Sequence, residues 1–200
     1  MNKARIAVLV SGGGTNLQAL IDAQNNNIIN NGEIRLVISN KPEAYALKRA
    51  DKANIDAICI NKKECGSQEA FEKAIIAKLE AYEIDLIVLA GFMSILSEEF
   101  TSRYPKRIIN IHPSLIPSFC GKGYYGLHVH EAALAKGVKV TGATVHFVNE
   151  IPDGGEIIMQ KAVEVKEDDT AETLQLRVME EAEWIILPAA VEMIAKEIAK

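Results

Sequence analysis

An amide and an imidazole stand one residue apart near the middle of the chain, in the stretch Asn110-Ile111-His112. Residues two apart on a strand project from one face, so both side chains would share a face of the strand that this apolar run predicts. A carboxamide can stabilise an oxyanion that develops on a carbonyl group, and an imidazole can transfer a proton. The pair therefore suits attack on a carbonyl carbon, although two hydrogen-bonded residues at the end of a strand fit the same pattern.

A glycine-rich turn, SGGGTN at residues 11–16, follows the first apolar run of the chain. It opens the first predicted helix, where free backbone N–H groups and the helix dipole attract an anion. A Walker sequence is missing, and a dinucleotide fingerprint counted from Gly12 would need its third glycine at Leu17. The turn therefore favours a monophosphate over NAD or ATP, or else it needs glycine for its backbone alone, with Thr15 or Asn16 as a helix cap.

Other polar residues have both a chemical and a structural interpretation. Asp153 stands in an Asp-Gly-Gly turn. It would orient His112 and raise the pKa of that ring if the sheet order brings the two together, or it only forms the turn. We expect His146 to have a structural, hydrogen-bonded role on its strand. His128 and His130 form a His-x-His pair without a convincing third ligand, so no metal site is predicted.

The composition is that of an ordinary globular protein. The chain has 200 residues, of which 48% are apolar and 24% charged, with a formal net charge of −5. These values predict one domain over residues 1–200, and the mixing of charges argues against a nucleic-acid surface. No segment has the length of a membrane span and no signal-peptide pattern is present, so we expect a cytoplasmic protein. Three cysteines without C-x-x-C spacing predict neither disulfides nor a zinc site.

Short apolar runs recur along the first half of the chain, and helix-length segments separate the first four of them. The runs are nearly continuous in apolar residues, which is typical of parallel strands covered on both faces. One intervening helix is expected to begin near Ser67. The pattern predicts a doubly wound α/β fold whose parallel strands lie at 5–10, 34–39, 57–60, 85–90 and 107–111.

A long stretch rich in Pro and Gly follows residue 112, and loops of such length in compact domains are often functional. We expect its part at 117–127 to close over the site. A helix from about 128 to 136 would follow. Two strands, at 140–148 and 155–165, then fit an antiparallel hairpin at the edge of the sheet.

The C-terminal part of the chain predicts one long amphipathic helix that starts at Thr170. Pro188 should kink or interrupt this helix, because proline lacks the N–H group that a helix interior uses. The apolar residues that recur at helical spacing are Leu174, Val178, Ile185 and Val191.

Five motifs of the chain together resemble the phosphoribosylglycinamide formyltransferase family of purine biosynthesis: SGGGTN, LAGFMSIL, NIHPSLIPSF, TGATVHFV and PDGG. The resemblance runs along almost the whole chain. It implies a Rossmann-like fold and transfer of a formyl group from 10-formyltetrahydrofolate to the amine of glycinamide ribonucleotide. The folate would be a co-substrate, with no tightly bound cofactor or metal. The partners would be these small molecules, without nucleic acid or membrane, and the protein would be a monomer or homodimer.

The resemblance also implies three groups of site residues. The residues that match the catalytic group are Asn110, His112 and Asp153. Those that match the ribonucleotide site are Gly14, Thr15, Asn16 and Glu183. Those that match the folate pocket are Gln68, Met93, Ser94, Ile95, Leu96 and Asn110. Ser94 stands where relatives often carry arginine, and Gln68 where some relatives use arginine near the folate tail. These departures concern the folate tail rather than the chemistry.

The implied mechanism is attack by the neutral amine on the formyl carbon, with Asn110 and protonated His112 stabilising the oxyanion and Asp153 supporting the charged ring. Methionyl-tRNA formyltransferases and formyltetrahydrofolate hydrolases share the Asn-x-His and the downstream Asp. Each of those classes carries an additional domain, which we do not expect here. An alternative of another kind is a non-catalytic sensor of phosphoribosyl ligands that keeps only the glycine turn.

Overall fold

The computed structural model describes residues 2–199, which form one seven-stranded sheet with helices on both faces. The strands are β1 (Ala4–Val10), β2 (Gly32–Ser39), β3 (Asp56–Cys59), β4 (Leu86–Leu89), β5 (Ile108–His112), β6 (Val140–Phe147) and β7 (Ile157–Glu164). The helices are α1 (Thr15–Asn25), α2 (Tyr45–Lys52), α3 (Lys62–Cys65), α4 (Gln68–Ala81), α5 (Glu98–Arg103), α6 (Leu127–Lys136), α7 (Ala171–Val178) and α8 (Trp184–Ile198). A π-helical segment, Met179–Glu183, connects the last two helices.

The sheet has the strand order β3-β2-β1-β4-β5-β6-β7. The first five strands pair in parallel, while β6 pairs antiparallel with both β5 and β7. The predicted doubly wound sheet with an antiparallel edge hairpin and a long C-terminal helical region is therefore confirmed. The strand order reverses between β1 and β4, and ligands of doubly wound folds bind beyond the carboxyl ends of the strands at such a point.

The sheet separates two apolar cores, which explains why the strands are apolar on both faces. Along β1, Ile6 and Val8 enter the core that α1, α7 and α8 cover. Ala7 and Leu9 enter the opposite core, which α4 and α5 cover. Because successive strand residues alternate between faces, both sets must be apolar. None of the helices within residues 2–199 is long and apolar enough to cross a membrane.

Side-chain caps fix the starts of two predicted helices. Ser67 accepts a hydrogen bond from the N–H of Ala70 at 3.0 Å, and α4 begins directly after it. Thr170 and Thr173 cap the start of α7 reciprocally, with each hydroxyl oxygen accepting the other residue's N–H. The predicted starts at Ser67 and Thr170 are therefore confirmed, because capping is a local interaction that sequence spacing reveals.

The phase of the C-terminal helical region differs from the prediction. Val178 and Val191 are buried as expected, but Ile185 is 51% exposed. A π turn takes up more residues than an α turn. The segment Met179–Glu183 therefore shifts the buried face by about one residue, so that Ala182 and the residue after Ile185 enter the core instead.

The interruption of this helical region also lies earlier than predicted. Pro188 is inside α8, whereas the regular helix is broken at the π-helical segment upstream of it. Proline cannot donate to the carbonyl one turn before it, so the helix must adjust its hydrogen bonding on that N-terminal side. A π segment is one such adjustment, and it brings Glu183 into the interior of the protein.

Candidate active site

The predicted catalytic residues come together where β5 meets β6 and the connection to β7. Asn110 and His112 lie on β5, and Asp153 lies in the turn between β6 and β7. The Asn110 Nδ2 is 3.5 Å from Asp153 Oδ1, and the His112 Nδ1 is 3.5 Å from Asp153 Oδ2. The structure thus brings the three residues of the predicted catalytic group into one cluster.

The turn that holds Asp153 depends on tight backbone packing. Asp153 itself has a positive φ of 56°, a conformation that Asp tolerates better than most residues. Two residues later, a Cβ atom added to Gly155 would lie only 1.8 Å from the Phe147 carbonyl oxygen. Glycine is therefore required at this position, and its close approach to β6 fixes where the carboxylate of Asp153 can stand.

Asp153 is held as a carboxylate by its neighbours. Burial alone would raise the pKa of its carboxyl group, but the neighbouring rings of His146 and His112 and the N–H of Gly121 hold the pKa below its usual range. Gly121 donates to Asp153 Oδ2 at 2.8 Å. At neutral pH the site therefore contains a fixed negative charge beside His112.

His112 lies between two hydrogen-bond acceptors. Its Nε2 is 2.9 Å from the Phe119 carbonyl oxygen, and its Nδ1 faces Asp153. Burial nevertheless lowers the pKa of His112, and the opposing effects of Asp153 and of the Phe119 carbonyl do not compensate. Asp153 raises this pKa as expected, but the almost complete desolvation of the ring outweighs its effect, so the net shift is downward.

His146 belongs to the cluster, although the sequence suggested only a structural role. It lies directly opposite Asn110 in the β5–β6 register, and its Nε2 is 3.2 Å from Asn110 Nδ2. Its Nδ1 is 2.7 Å from the Phe147 carbonyl oxygen and donates to it. The same Nε2 is 3.5 Å from Asp153 Oδ1. Only the register of the two strands could have identified this residue.

The loop after β5 covers the cluster. Phe119 contacts His112 through its carbonyl oxygen, and Gly121 contacts Asp153 through its N–H. These contacts place the predicted 117–127 loop against the catalytic candidates, while its motion stays a prediction. Cys120 lies between Phe119 and Gly121 in this loop. Burial raises the pKa of its thiol, which disfavours the reactive thiolate form.

The His-x-His pair after this loop is split between two environments. His128 is exposed and pairs with Glu131 at 2.9 Å. His130 is buried, and neither of its ring nitrogens has a hydrogen-bond partner among residues 2–199. Burial lowers its pKa to about 4, so the ring is neutral. Within the part of the chain that the structure describes, no group of three or more His, Cys, Asp or Glu side chains could hold a metal ion.

A cavity of about 120 Å³ adjoins the catalytic cluster, and Asn110, His146 and Asp153 line it. The predicted folate residues that also line it are Ser94, Ile95 and Leu96. Two others do not line this cavity but support the segment that does. Met93 donates its N–H to Ser11 Oγ at 2.8 Å, and Gln68 donates to the Ile95 carbonyl oxygen at 3.1 Å. Ile95 is 66% exposed, which excludes a role in the core.

The glycine turn packs closely against α2. Gly14 has a φ of 71°, and a Cβ atom there would lie 2.7 Å from Ala46 Cβ. Arg49 donates to the Gly13 carbonyl oxygen at 2.8 Å. Gly14 therefore has a backbone reason to be glycine, while the exposed part of the turn before it stays free to contact a ligand. Thr15 lines a separate groove of about 610 Å³ between α1 and α8.

Asn16 and Glu183 form a buried pair that links the start of α1 to the π-helical segment. The Asn16 Nδ2 donates to Glu183 Oε2 at 2.6 Å, and Glu183 is only 4% exposed. Burial raises the pKa of Glu183 to about 7, against the opposing effect of the hydrogen bond. No spacing in the sequence indicates this burial, which arises because the π segment turns the side chain inward.

The predicted ribonucleotide site and the predicted catalytic group both lie near the carboxyl ends of the central strands. β1 ends at the glycine turn, β5 carries the catalytic pair, and only β4 separates these strands. Neighbouring strands are about 4.8 Å apart, so the turn and the catalytic strand are roughly 10 Å apart. A ligand that contacts both must therefore extend across the crevice beyond β4.

The formyl transferase family model matches residues 4–191 of the chain. The chain is 42% identical over 190 residues to the phosphoribosylglycinamide formyltransferase of Escherichia coli (strain K12), covering 95% of this chain and 86% of that protein. It is 47% identical over 194 residues to the trifunctional purine biosynthetic protein adenosine-3 of Gallus gallus. That alignment covers 97% of this chain but 19% of the trifunctional protein, so the chain spans less than a fifth of such relatives.

Solved structures agree with these relatives. The glycinamide ribonucleotide transformylase 1 of Symbiobacterium toebii superposes with a TM-score of 0.91 at 43% identity, over 98% of this chain and 89% of that one. The phosphoribosylglycinamide formyltransferase of Coxiella burnetii, in complex with CHES, gives 0.90 at 42% identity over the same shares. The resemblance inferred from the five motifs is thus confirmed. Since the family model and these relatives cover nearly all of its length, the chain belongs to the phosphoribosylglycinamide formyltransferases of the formyl transferase family.

Proposed function

We propose that this chain transfers the formyl group of 10-formyltetrahydrofolate to the amine of glycinamide ribonucleotide. The observation that carries the proposal is the convergence of Asn110, His112 and Asp153 beside a cavity that Ser94, Ile95 and Leu96 also line. The family to which the chain belongs supports the same reaction. The cavity would take the part of the folate that carries the formyl group, so that the formyl carbon would stand next to the polar cluster.

In the first step, the lone pair of the neutral amine attacks the formyl carbon, and the carbonyl π electrons move onto the oxygen. Asn110 would donate its amide N–H to this oxyanion. That amide lies 3.2 Å from His146 Nε2 and 3.5 Å from Asp153 Oδ1, and these two contacts hold it in place. Removing an oxyanion donor of this kind costs roughly 3 kcal/mol of transition-state stabilisation in related chemistry.

His112 would respond to the negative charge of the intermediate. Both groups beside its ring, the Phe119 carbonyl and the Asp153 carboxylate, accept hydrogen bonds, so only the imidazolium form can donate to both. Burial disfavours that form in the free protein, whereas a nearby oxyanion favours it. The ammonium proton of the intermediate then moves to N10 of the folate. The C–N10 bond breaks with its electron pair on N10, and the formamide carbonyl reforms.

The ribonucleotide would bind across the crevice beyond β4. Its phosphate would lie at the turn formed by Gly14, Thr15 and Asn16, and its amine would reach the cluster roughly 10 Å away. Glu183 would contact the ribonucleotide from the π-helical segment, with Asn16 fixing its carboxyl group. The remaining folate contacts would come from Gln68 and from Met93–Leu96.

Several further features belong to the same proposal. The folate acts as a co-substrate, and no cofactor or metal is tightly bound. Residues 1–200 act as a single domain, in the cytoplasm, as a monomer or homodimer, with small molecules rather than nucleic acid or membrane as partners. Gel filtration would test the oligomeric state, and cell fractionation would test the cytoplasmic location.

The decisive experiment is a spectrophotometric formyl-transfer assay with 10-formyltetrahydrofolate, run with glycinamide ribonucleotide and without an acceptor. Turnover that depends on the ribonucleotide is the expected result. Equal turnover without it would indicate a hydrolase, and ribonucleotide binding without turnover would indicate a sensor; either result contradicts the proposal.

A pair of histidine variants assigns the chemistry to the cluster. His112→Ala should lower kcat by orders of magnitude while both substrates still bind. His128→Ala is the matched control, because that ring is exposed and contacts Glu131 and the Tyr125 ring rather than the catalytic cluster. Turnover by His112→Ala that equals that of the control would exclude His112 from the reaction.

A further inference from the structure

Side chains, rather than backbone hydrogen bonds, hold the segment 91–97, which carries most of the proposed folate contacts. Within residues 2–199, none of its backbone N–H groups donates to a backbone carbonyl. Two of them, those of Met93 and Ser97, donate to side chains from elsewhere in the fold. Besides the packing of Leu96 and Phe92 into the core, a few side-chain hydrogen bonds hold this segment, and one substitution can remove each of them.

Four residues make these contacts, and they come from three places in the fold. The contacts are Ser11 Oγ with the Met93 N–H at 2.8 Å, Asn40 Nδ2 with Ser94 Oγ at 2.8 Å, Gln68 Nε2 with the Ile95 carbonyl at 3.1 Å, and Glu72 Oε1 with the Ser97 N–H at 2.7 Å. Asn40 follows β2, whereas Gln68 and Glu72 lie on α4. Only the Ser11 contact comes from the glycine turn.

Ser11 thus belongs to both proposed substrate sites. It is 4% exposed and directly precedes Gly12, so its backbone is the first part of the turn that would hold the phosphate. The carbonyl oxygens of Gly12 and Gly13 accept hydrogen bonds from the Ala46 N–H and from Arg49. A Cβ atom added to either glycine would meet no other atom within 4 Å, so the outer side of the turn is open to a ligand. A bound phosphate that fixes this backbone also fixes the Ser11 hydroxyl, and through it the Met93 N–H.

We infer that Ser11 is a positioning residue that couples the two sites, so that each substrate binds more tightly when the other is present. The inference rests on the proposed function, since it presupposes the ribonucleotide at the turn and the folate beside Met93. Coupling between sites is reciprocal, so the same factor must appear in both affinities. One shared neutral hydrogen bond places this factor near the low end of typical couplings, at about five-fold.

Isothermal titration calorimetry tests the coupling on the whole chain. The Kd of tetrahydrofolate is measured alone and with saturating glycinamide ribonucleotide. The wild-type protein should bind tetrahydrofolate about five-fold more tightly with the ribonucleotide, and Ser11→Ala should reduce this ratio to about one. Ser94→Ala is the matched control: it removes the Asn40 contact to the same segment, so it should weaken the folate Kd while keeping the ratio.

A second variant guards against loss of folding. Ser11→Cys keeps the side-chain volume but replaces the hydroxyl with a weak acceptor, so it should also lower the ratio while the thermal midpoint stays near that of the wild type. A wild-type ratio of one, an unchanged ratio in Ser11→Ala, or an equal loss in Ser94→Ala would each overturn the inference. Failure of the proposed function is distinct, because titration of each ligand alone would then show that one or both of them do not bind.

Discussion

Glu183 offers a stability test whose size follows from its burial. The carboxyl is 4% exposed, and its pKa is raised from 4.5 to about 7. Below pH 4.5 both the folded and the unfolded chain carry the protonated form, so the raised pKa has no effect on stability. Between pH 4.5 and 7 the unfolded chain ionises first, and stability falls. Above pH 7 the loss of stability is complete. It amounts to about 3 kcal/mol, because each unit of pKa difference corresponds to roughly 1.4 kcal/mol.

Glu183→Gln removes this ionisation and keeps an oxygen that can accept from Asn16. The variant should therefore match the wild type near pH 4.5 and exceed its free energy of unfolding by about 3 kcal/mol at pH 8. Urea unfolding at both pH values measures this, with circular dichroism and the fluorescence of Trp184, the only tryptophan of the chain, as probes. Glu180→Gln is the matched control, because this neighbouring carboxylate is exposed.

The outcome separates burial from function. If Glu183→Gln gains no stability at pH 8, or gains the same amount at both pH values, the side chain is not desolvated as described. In the same variant, loss of the carboxylate should raise the KM for glycinamide ribonucleotide. A more stable protein with weaker substrate binding would be a trade-off often seen at functional sites.

Two further substitutions test the turn beside the cluster. Asp153→Asn keeps the shape of the side chain but removes the charge that supports the imidazolium, so kcat should fall by roughly 10³-fold with the Kd of both substrates within about three-fold; a kcat loss below ten-fold in steady-state kinetics would contradict this role. Gly155→Ala places a Cβ atom 1.8 Å from the Phe147 carbonyl oxygen, so differential scanning calorimetry should show a loss of about 3 kcal/mol, or roughly 6–12 °C in Tm. Gly13→Ala, which meets no neighbour within 4 Å, should leave Tm unchanged.

The sequence by itself determined the features that depend on neighbouring residues. Nearly continuous apolar runs predicted strands covered on both faces, because each strand needs apolar side chains on both sides of the sheet. The two-residue spacing of Asn110 and His112 placed both side chains on one face of their strand, since side chains alternate between faces with period two. The glycine turn after β1 and the caps at Ser67 and Thr170 follow from equally local hydrogen bonding.

Tertiary structure decided what depends on segments far apart in the chain. Asn110 and His146 are 36 positions apart, and only the antiparallel register of β5 and β6 sets them face to face. The pKa of His112 falls rather than rises because packing removes water from the ring, an effect that no local spacing reveals. Glu183 is buried because one π turn shifts the phase of a helix that the sequence alone predicts as regular. Local patterns specify which face a residue occupies, while register, desolvation and helix phase are set by the packed fold as a whole.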